Sequence, residues 1–363
     1  MAQNNTAPKY SRLKEYLKEQ MKRGAITPGD QLPSEHMLAE EFKISRHTVR
    51  QALSDLENEG LVFREQGRGT FRSYPTKAKG KTVAVVTTYI SEYIFPEVIR
   101  GIEEVLSAAG CTLILANTGN DQTKEAACLE NFLQQKISGL IIEPTQSAWE
   151  KINLKYYSDL GKRGIPYLML HAYYPDLDPA YIVMDDEKGG YLATQYLIQL
   201  GHRKIAGIFK SDDLQGVNRQ MGYVKAFNDY GLETVPELIG YYETPELYSY
   251  PYQFTRTLLA GVNRESQPTA MVCYNDQVAL MVLEALRDEG IRVPEDFSVM
   301  SFDDSSLAVA SEVKLSTIKH PKASMGRQAA RFILDMMENK VTKPSLIYQP
   351  ELILRSSCVG RAE

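Results

Sequence analysis

Four side chains that can bind nucleic acid lie together at the start of an amphipathic segment. They follow Ser45, which can cap the first turn of a helix, and they are Arg46, His47, Thr48 and Arg50. Arginine is the commonest reader of guanine edges and also holds phosphates, so this group predicts contact with DNA without assigning a base.

The elements that would position these side chains can be read from hydrophobic spacing. Val49, Ala52, Leu53 and Leu56 repeat at the i, i+3, i+4, i+7 spacing of a helix with one buried face. A short helix is predicted upstream at 34–42, and the four-residue turn 43–46 between the two is typical of a helix-turn-helix. A longer amphipathic helix at 9–23 completes a three-helix head.

A β-hairpin is predicted directly after these helices. The strand-like residues 61–64 and 70–71 flank Gly67-Arg68-Gly69. Glycine permits a tight turn and a close backbone approach, while Arg68 supplies a charge that suits a minor groove.

An amphipathic helix with two arginines is by itself more often a solvated face. The ordered combination, however, resembles the winged-helix head of the GntR family of bacterial transcription factors over Pro8 to Arg72, through PKYSRLKE, GDQLPSEHMLAEEF, SRHTVRQALSDLENEGL and GRGTF. The resemblance implies an approach to the DNA by Glu35 and operator contacts from Lys9, Arg46, His47, Thr48, Arg50, Gln66 and Arg68.

Charge and composition agree with this division. Residues 1–82 hold 15 Lys/Arg against 10 Asp/Glu, whereas 83–363 hold 26 against 36, so only the head is basic.

No apolar run reaches the roughly 18 residues of a membrane helix and no secretory signal is present, which predicts a cytoplasmic protein. The four cysteines, Cys111, Cys128, Cys273 and Cys358, have no CxxC spacing, so neither a metal site nor a disulfide is expected.

The remainder of the chain predicts an α/β fold. After a linker at 73–81, nine apolar strand-like runs alternate with helical patterns, which indicates parallel sheets covered on both faces by helices. There are too many for one ordinary sheet, so two lobes are expected. The runs are VAVVTTY, TLILANT, GLIIEPT, PYLMLHA, YIVMD, KIAGIF, AMVCYN, SVMSFDD and LSTIKH.

This order of motifs resembles the effector-binding and dimerisation core of the LacI/GalR family, itself similar to periplasmic sugar-binding proteins. The resemblance rests on MDDEKGGYLATQYLIQLGHRKIAGI, CYNDQVALMVLEALRDEGIRVPEDFSVMSFDDSSLA and LSTIKHPKASMGRQAARFIL. It implies three chain crossings between the lobes of this domain, 82–363. One lobe is expected at about 82–180 and 307–339, and the other at about 181–306 and 340–363.

The resemblance also implies a ligand in the cleft between the lobes, where polar groups bind hydroxyls and aromatic rings cover C–H faces. It gives Arg219 as a donor, Asn275 and Asp303 as polar contacts, and Phe95 as a stacking wall. His171 and His320 stand where relatives carry aspartate and glutamine. Both are included as ligand contacts, with an imidazole in place of the carboxylate or the amide.

Tyr93 and Glu143 are added because each lies just beyond a predicted strand end that faces the cleft. A purely structural role is the alternative for these two and for His171 and His320. Asp276 and Asp304 are interpreted as structural helix caps.

No catalytic motif accompanies these residues. The chain has no G-x-S-x-G, Walker A, G-x-G-x-x-G or H-E-x-x-H sequence, so an enzyme is not predicted and no cofactor is expected. The pairing of a GntR-type head with a LacI/GalR-type core resembles the bacterial arabinose-responsive repressors, through TTYISEYIFPEVIRGIE, GLIIEPTQSA and EVKLSTIKHPKASMG. That resemblance implies a homodimer on palindromic operator DNA that L-arabinose releases, and another sugar or a purine is the alternative effector.

Overall fold

The chain divides into two compact units, Met1–Gly80 and Lys81–Glu363, called here the head and the core. The computed structural model describes residues 9–23, 25–27, 30–59, 61–65, 69–72, 80–260 and 267–361. Most of the predicted linker, 73–79, therefore lies outside the described residues.

The head contains three helices and a two-stranded antiparallel sheet, as its hydrophobic spacing predicts. Leu13, Leu17, Leu38, Leu53 and Leu56 meet in one buried cluster, so each helix contributes an apolar face. The elements are α1 (Lys9–Lys22), α2 (Glu35–Phe42), α3 (Arg46–Asn58), β1 (Val62–Glu65) and β2 (Gly69–Arg72).

The first lobe of the core has a six-stranded parallel sheet in the order β13-β7-β6-β5-β3-β4. Its helices α4 and α12 pack together on one face, and α5 and α6 cover the other. The elements are β3 (Thr82–Thr87), α4 (Phe95–Ala108), β4 (Thr112–Asn117), α5 (Gln122–Gln135), β5 (Gly139–Ile142), α6 (Leu154–Lys162), β6 (Tyr167–Leu170), β7 (Ala180–Met184), α12 (Lys322–Met337) and β13 (Ser345–Tyr348).

The second lobe has a six-stranded sheet in the order β14-β12-β11-β10-β8-β9, parallel except for the last strand in sequence. Helices α7 and α8 pack together on one face and α9 with α10 on the other. The elements are α7 (Asp186–Gln199), β8 (Ile205–Lys210), α8 (Leu214–Asp229), β9 (Ile239–Tyr242), α9 (Tyr250–Ala260), β10 (Ala270–Cys273), α10 (Asp276–Asp288), β11 (Ser298–Asp303), α11 (Ser306–Ala310), β12 (Ser316–Lys319) and β14 (Glu351–Ile353).

The chain crosses between the lobes after β7, after β12 and after β13. The boundaries predicted at 180, 307 and 339 are therefore wrong in detail. Strand β12 pairs in parallel with β11, through Met300 and Ser316, so 307–319 stay in the second lobe. Strand β13 pairs with β7, which brings 345–348 back to the first lobe. Both sheets bury apolar strands, and the sequence of a strand does not reveal which sheet accepts it.

All nine predicted strands of the core are confirmed, and β9, β13 and β14 are additional. The additional strands have three or four residues and lie at sheet edges, where one side lacks a partner. Within the described part of the chain, no helix combines the length and the apolar character that crossing a membrane requires.

Each lobe has one helix pair that crosses at a pair of glycines. A Cβ on Gly222 of α8 would overlap the backbone oxygen of Glu187 in α7, and one on Gly190 of α7 would overlap that of Arg219. In the first lobe, Gly101 and Gly326 bring α4 and α12 equally close. These glycines let the backbones of the paired helices come into contact. In the second lobe, this contact fixes the position on α8 from which the side chain of Arg219 projects.

Replacing Gly222 with alanine should destabilise the core by about 3 kcal/mol, because overpacking forces two rigid backbones apart. The measurement is the free energy of unfolding of the full chain in urea. Gly161→Ala is the matched control. Gly161 lies in α6 with open space around its Cα, so alanine there should be neutral or slightly stabilising. Equal unfolding midpoints for the two variants would contradict the role given to the crossing.

Candidate functional site

The predicted DNA-contacting side chains of the head lie around the start of α3. Ser45 caps this helix, as predicted, because its Oγ accepts from the backbone nitrogen of Thr48 at 3.2 Å. Arg46, His47 and Arg50 are exposed and Thr48 is half-buried. Their exposure leaves them available to a duplex, as expected for the first turns of a recognition helix.

Glu35 of α2 fixes the direction of Arg50. Its Oε2 accepts from Arg50 Nε at 2.9 Å, and Arg64 of β1 donates to the backbone oxygen of Arg50 at 3.2 Å. Glu35 therefore lies beside the recognition helix and orients the guanidinium. Lys9 begins α1, but its side chain lies outside the described residues, as do Gln66 and Arg68 at the predicted hairpin tip.

The core has a cleft between the carboxyl ends of the two sheets, where open α/β sheets bind ligands. Its empty volume is about 610 Å³, including the part that opens to solvent, and its lining combines polar and aromatic side chains, as small-molecule sites do. Seven of the eight predicted effector residues line it, namely Tyr93, Phe95, Glu143, His171, Arg219, Asn275 and Asp303.

Arg219 is the buried charge centre of this cleft. Its Nε donates to Asp186 at 2.8 Å, its Nη1 to the backbone oxygen of Tyr274 at 2.6 Å, and its Nη2 reaches Asp303 at 3.4 Å. Burial raises the pKa of Asp186 to about 6, against the opposing effect of Arg219. Asp186 is therefore mostly ionised at pH 7.5. Two of the five N–H groups of the guanidinium are not used by these bonds.

Glu143 and His171 form a buried pair on the first lobe. Glu143 Oε1 lies 2.9 Å from His171 Nδ1, and its Oε2 accepts from the nitrogen and hydroxyl of Thr88 at 2.7 and 2.6 Å. Burial would raise the pKa of Glu143, but these bonds outweigh it and the pKa lies below its usual value. Because the carboxylate can only accept, Nδ1 carries a hydrogen. Nε2 is buried without a hydrogen-bond partner among the described residues, and it can serve a ligand hydroxyl.

His320 does not reach the wall of the cleft. It lies behind His171, with the two ring centres 5.0 Å apart, and neither of its ring nitrogens has a hydrogen-bond partner among the described residues. Burial holds the pKa of His320 well below its usual value, so the ring is neutral. His320 packs against a residue that lines the cleft, and its contact with the ligand stays a prediction.

Tyr93 joins the two lobes. Its hydroxyl donates to Asp303 at 2.7 Å and accepts from the backbone nitrogen of Asp276 at 3.2 Å. At the rim, Asn120 of the first lobe donates to Asp212 and Thr244 of the second at 3.0 and 2.7 Å. The lobes are therefore in contact on both sides of the cavity, which is the geometry of a closed clamp.

Asn275, rather than Asp276, caps α10. The side-chain oxygen of Asn275 caps α10 by accepting from Val278 at 3.0 Å, which leaves its NH₂ group as the part able to donate to a ligand. Asp276 is not the cap, and it accepts instead from Ser301 and Ser305 inside the second lobe. Asp304 likewise caps no helix, because Ser305 caps α11 and Asp304 pairs with Arg355 at 2.6 Å.

One wall of the cleft was not predicted from the sequence. Lys210, at the end of β8, binds Asp212 and Asp213 at 3.0 and 2.9 Å. Burial would lower the pKa of Lys210, but the two carboxylates outweigh it and raise the pKa. The signal was a charged run, KSDD, placed directly after a predicted strand. The missed lining residues include Lys210, Asp213, Gln215, Tyr242, Thr244 and Gln277.

Within the described ranges, no group of three or more His, Cys, Asp and Glu residues is arranged to hold a metal ion.

Comparison with known proteins agrees with both parts of this description. The model of the gntR family of bacterial regulatory proteins matches 9–71, and that of the periplasmic binding protein-like domain matches 194–358. The transcription regulator CcpA of Lactococcus lactis has a similar fold, with a TM-score of 0.68 and 27% identity, over 77% of this chain and 99% of that chain. The fold and its sites therefore define a transcription regulator with a winged-helix head and a LacI-type core.

Two relatives match nearly the whole chain. The arabinose metabolism transcriptional repressor of Geobacillus stearothermophilus is 45% identical over 97% of this chain and 98% of its own length. That of Halalkalibacterium halodurans is 43% identical over 96% of each chain. The chain belongs to the family of arabinose metabolism transcriptional repressors, and the family predicted from sequence is confirmed.

Proposed function

We propose that L-arabinose is the effector of this repressor, that it binds in the closed cleft of the core, and that it weakens the binding of the head to operator DNA. The observation that carries this proposal is the cleft itself. It combines a buried arginine, a carboxylate and an unpartnered imidazole nitrogen with an aromatic wall, which suits a small polyhydroxylated molecule.

Each cleft residue has a distinct role in this proposal. Arg219 donates to a sugar hydroxyl, Asp303 accepts from one, and the NH₂ group of Asn275 donates to another. His171 offers Nε2, while Glu143 fixes its tautomer and orientation. Phe95, which is buried and packs edge to face against His171, covers the C–H side of the ring. His320 supports His171 from behind.

The head supplies DNA recognition in this proposal. Arg46, His47, Thr48 and Arg50 contact base edges and phosphates, and Glu35 holds Arg50 in place. Lys9, Gln66 and Arg68 add contacts to the duplex. A homodimer places two such heads on the two halves of a palindromic operator, so affinity depends on both half-sites being reached together.

The coupling between cleft and head is a linkage of two equilibria. Sugar stabilises one arrangement of the two lobes, and that arrangement disfavours the dimer geometry that two half-sites require. Because coupling is reciprocal, operator must weaken sugar binding by the same factor. The sugar shifts the equilibrium only by its differential affinity for the two arrangements.

L-arabinose should weaken operator binding by at least about tenfold, a usual size for coupling between two sites. The test measures binding of the full-length chain to a fluorescent duplex selected by that chain from a random pool, with and without the sugar. D-ribose, D-xylose, D-galactose and a purine base serve as comparison ligands. A duplex with one half-site reports on the dimer, because it should bind much more weakly than the complete operator.

The effector, the homodimer and the absence of chemical change are each contradicted by a different outcome. An operator affinity that L-arabinose leaves unchanged, but that another ligand lowers, would assign a different effector to the same cleft. Equal affinity for one and two half-sites would contradict the homodimer. We also propose that the sugar is bound without chemical change, so labelled L-arabinose should be recovered intact after incubation, and its conversion would contradict a purely regulatory role.

A further inference from the structure

Lys322 belongs to one lobe but forms its two shortest hydrogen bonds with the other. It is the first residue of α12, which packs against α4 in the first lobe. Its ammonium group donates to the backbone oxygens of Asp303 and Asp304 in the second lobe, each at 2.7 Å. Lys322 is buried, with 8% of its surface exposed, so water does not replace these bonds easily.

The two carbonyl groups that Lys322 binds belong to residues with an unfavourable backbone conformation. Asp303 has a φ of 93° and Asp304 a φ of 47°, so two consecutive residues that are not glycine lie in the left-handed region. This turn ends β11 and directs the Asp303 carboxylate into the cleft toward Arg219. Strain of this kind persists only where the surroundings hold it in place.

We propose that Lys322 is a positioning residue for the effector site, because it holds the Asp303–Asp304 turn in the conformation that presents the Asp303 carboxylate to the sugar. The inference deepens the proposed function and rests on it, since it concerns the same cleft. Lys322 is not among the described residues that line the cavity, so it acts through Asp303 rather than through the ligand.

The position of Lys322 in the topology adds a link between the lobes. It comes directly after the two-residue crossing, 320–321, from β12 to α12, and His320 within this crossing donates its backbone N–H to the backbone oxygen of Asp303 at 3.4 Å. The conformation of Asp303 therefore depends on where the first lobe lies relative to the second. The side chain of Lys322 therefore couples closure of the cleft to the orientation of the Asp303 carboxylate.

The test begins with Lys322→Met in the full-length chain, which keeps the length of the side chain and removes the donor. L-arabinose binding measured by calorimetry should weaken by at least about tenfold, because the carbonyl groups of Asp303 and Asp304 lose a charged donor. Lys319→Met is the matched control. Lys319 belongs to the same stretch of chain but is exposed and pairs with Glu351 at 2.9 Å, so sugar affinity should stay within about twofold.

Rescue by glycine separates positioning from a general loss of structure. Glycine adopts a positive φ without strain, so adding Asp304→Gly to Lys322→Met should tighten sugar binding at least about threefold relative to Lys322→Met. The single variant Asp304→Gly reports the effect of losing the bond from Arg355. Unchanged sugar affinity in Lys322→Met, or no rescue by glycine, would overturn the proposal.

Hydrogen exchange tests the same inference without any sugar. The amides of Asp304 and Ser305 donate to Thr317 and Asp276, and their exchange should accelerate in Lys322→Met but not in Lys319→Met. Equal exchange in both variants would overturn the role of Lys322. A wild-type chain that does not bind L-arabinose, but in which Lys322→Met accelerates this exchange, would contradict only the proposed effector.

Discussion

Replacing Arg219 with methionine is expected to abolish L-arabinose binding and to destabilise the core by about 3–5 kcal/mol, the usual cost of removing one partner of a buried ion pair. The substitution leaves Asp186 and Asp303 buried without the guanidinium that lies between them. Calorimetric titration below the unfolding transition measures the loss of binding, and denaturant unfolding measures the loss of stability.

Two further variants separate folding from recognition. Arg256→Met removes an arginine that pairs with Glu289 at 2.7 Å on the surface of the same lobe, and it should change neither quantity appreciably. Asp303→Asn keeps the shape of the acceptor and removes its charge, so it should weaken sugar binding with a much smaller loss of stability. Wild-type sugar affinity in Arg219→Met would exclude this cleft as the effector site.

Replacing Arg50 with alanine should weaken operator binding by at least about thirtyfold and leave L-arabinose binding unchanged. A base-specific arginine contact contributes about 1–3 kcal/mol, and a homodimer loses two of them. Arg50 lies in the head and the cleft lies in the core, so the sugar site retains all its contacts. Fluorescence anisotropy with the selected duplex measures the first effect and calorimetry the second.

The control for Arg50 is Arg23→Ala, which removes the same charge from the same unit. Arg23 is exposed near the end of α1 and pairs with Glu19 at 2.8 Å, away from the predicted contact residues in sequence. Its loss should lower affinity for operator and for random DNA alike by a small factor. If Arg50→Ala also weakened both duplexes equally, Arg50 would hold a phosphate rather than read a base.

The head could be predicted closely from sequence because its signals are local. The buried faces repeat at helical spacing, and Ser34 and Ser45 each cap a helix that begins one residue later. The pairing of Glu35 with Arg50 could not be predicted, since it joins residues fifteen positions apart on two helices whose crossing depends on the packed core.

The presence of two sheets could also be predicted, but which strands belong to each sheet could not. Nearly continuous apolar runs identify strands that are buried on both faces, whichever sheet they enter. The assignment of β12 and β13 depends on pairing across the chain, between Met300 and Ser316 and between Ser345 and Tyr181. No local composition records such pairing.

Within the cleft, residue types were easier to predict than backbone geometry. Strand ends and family motifs located Arg219, Asn275 and Asp303, while the left-handed conformations of Tyr93, His171 and Asp303 had no sequence signal. A positive φ in a residue other than glycine depends on surrounding contacts that hold it, and these come from distant segments. The wall around Lys210 was missed for a different reason, because its charged run also fits an ordinary solvated loop.

The late strands β13 and β14 complete one sheet each, and only two residues, 349 and 350, lie between them. During synthesis, therefore, neither sheet can be completed before its strand within 345–353 has been made. A nascent chain that stops before Ser345 leaves β7 with a bare edge, and such edges invite pairing with other chains. The two sheets therefore gain their last edge strands from one short segment of chain, 345–353.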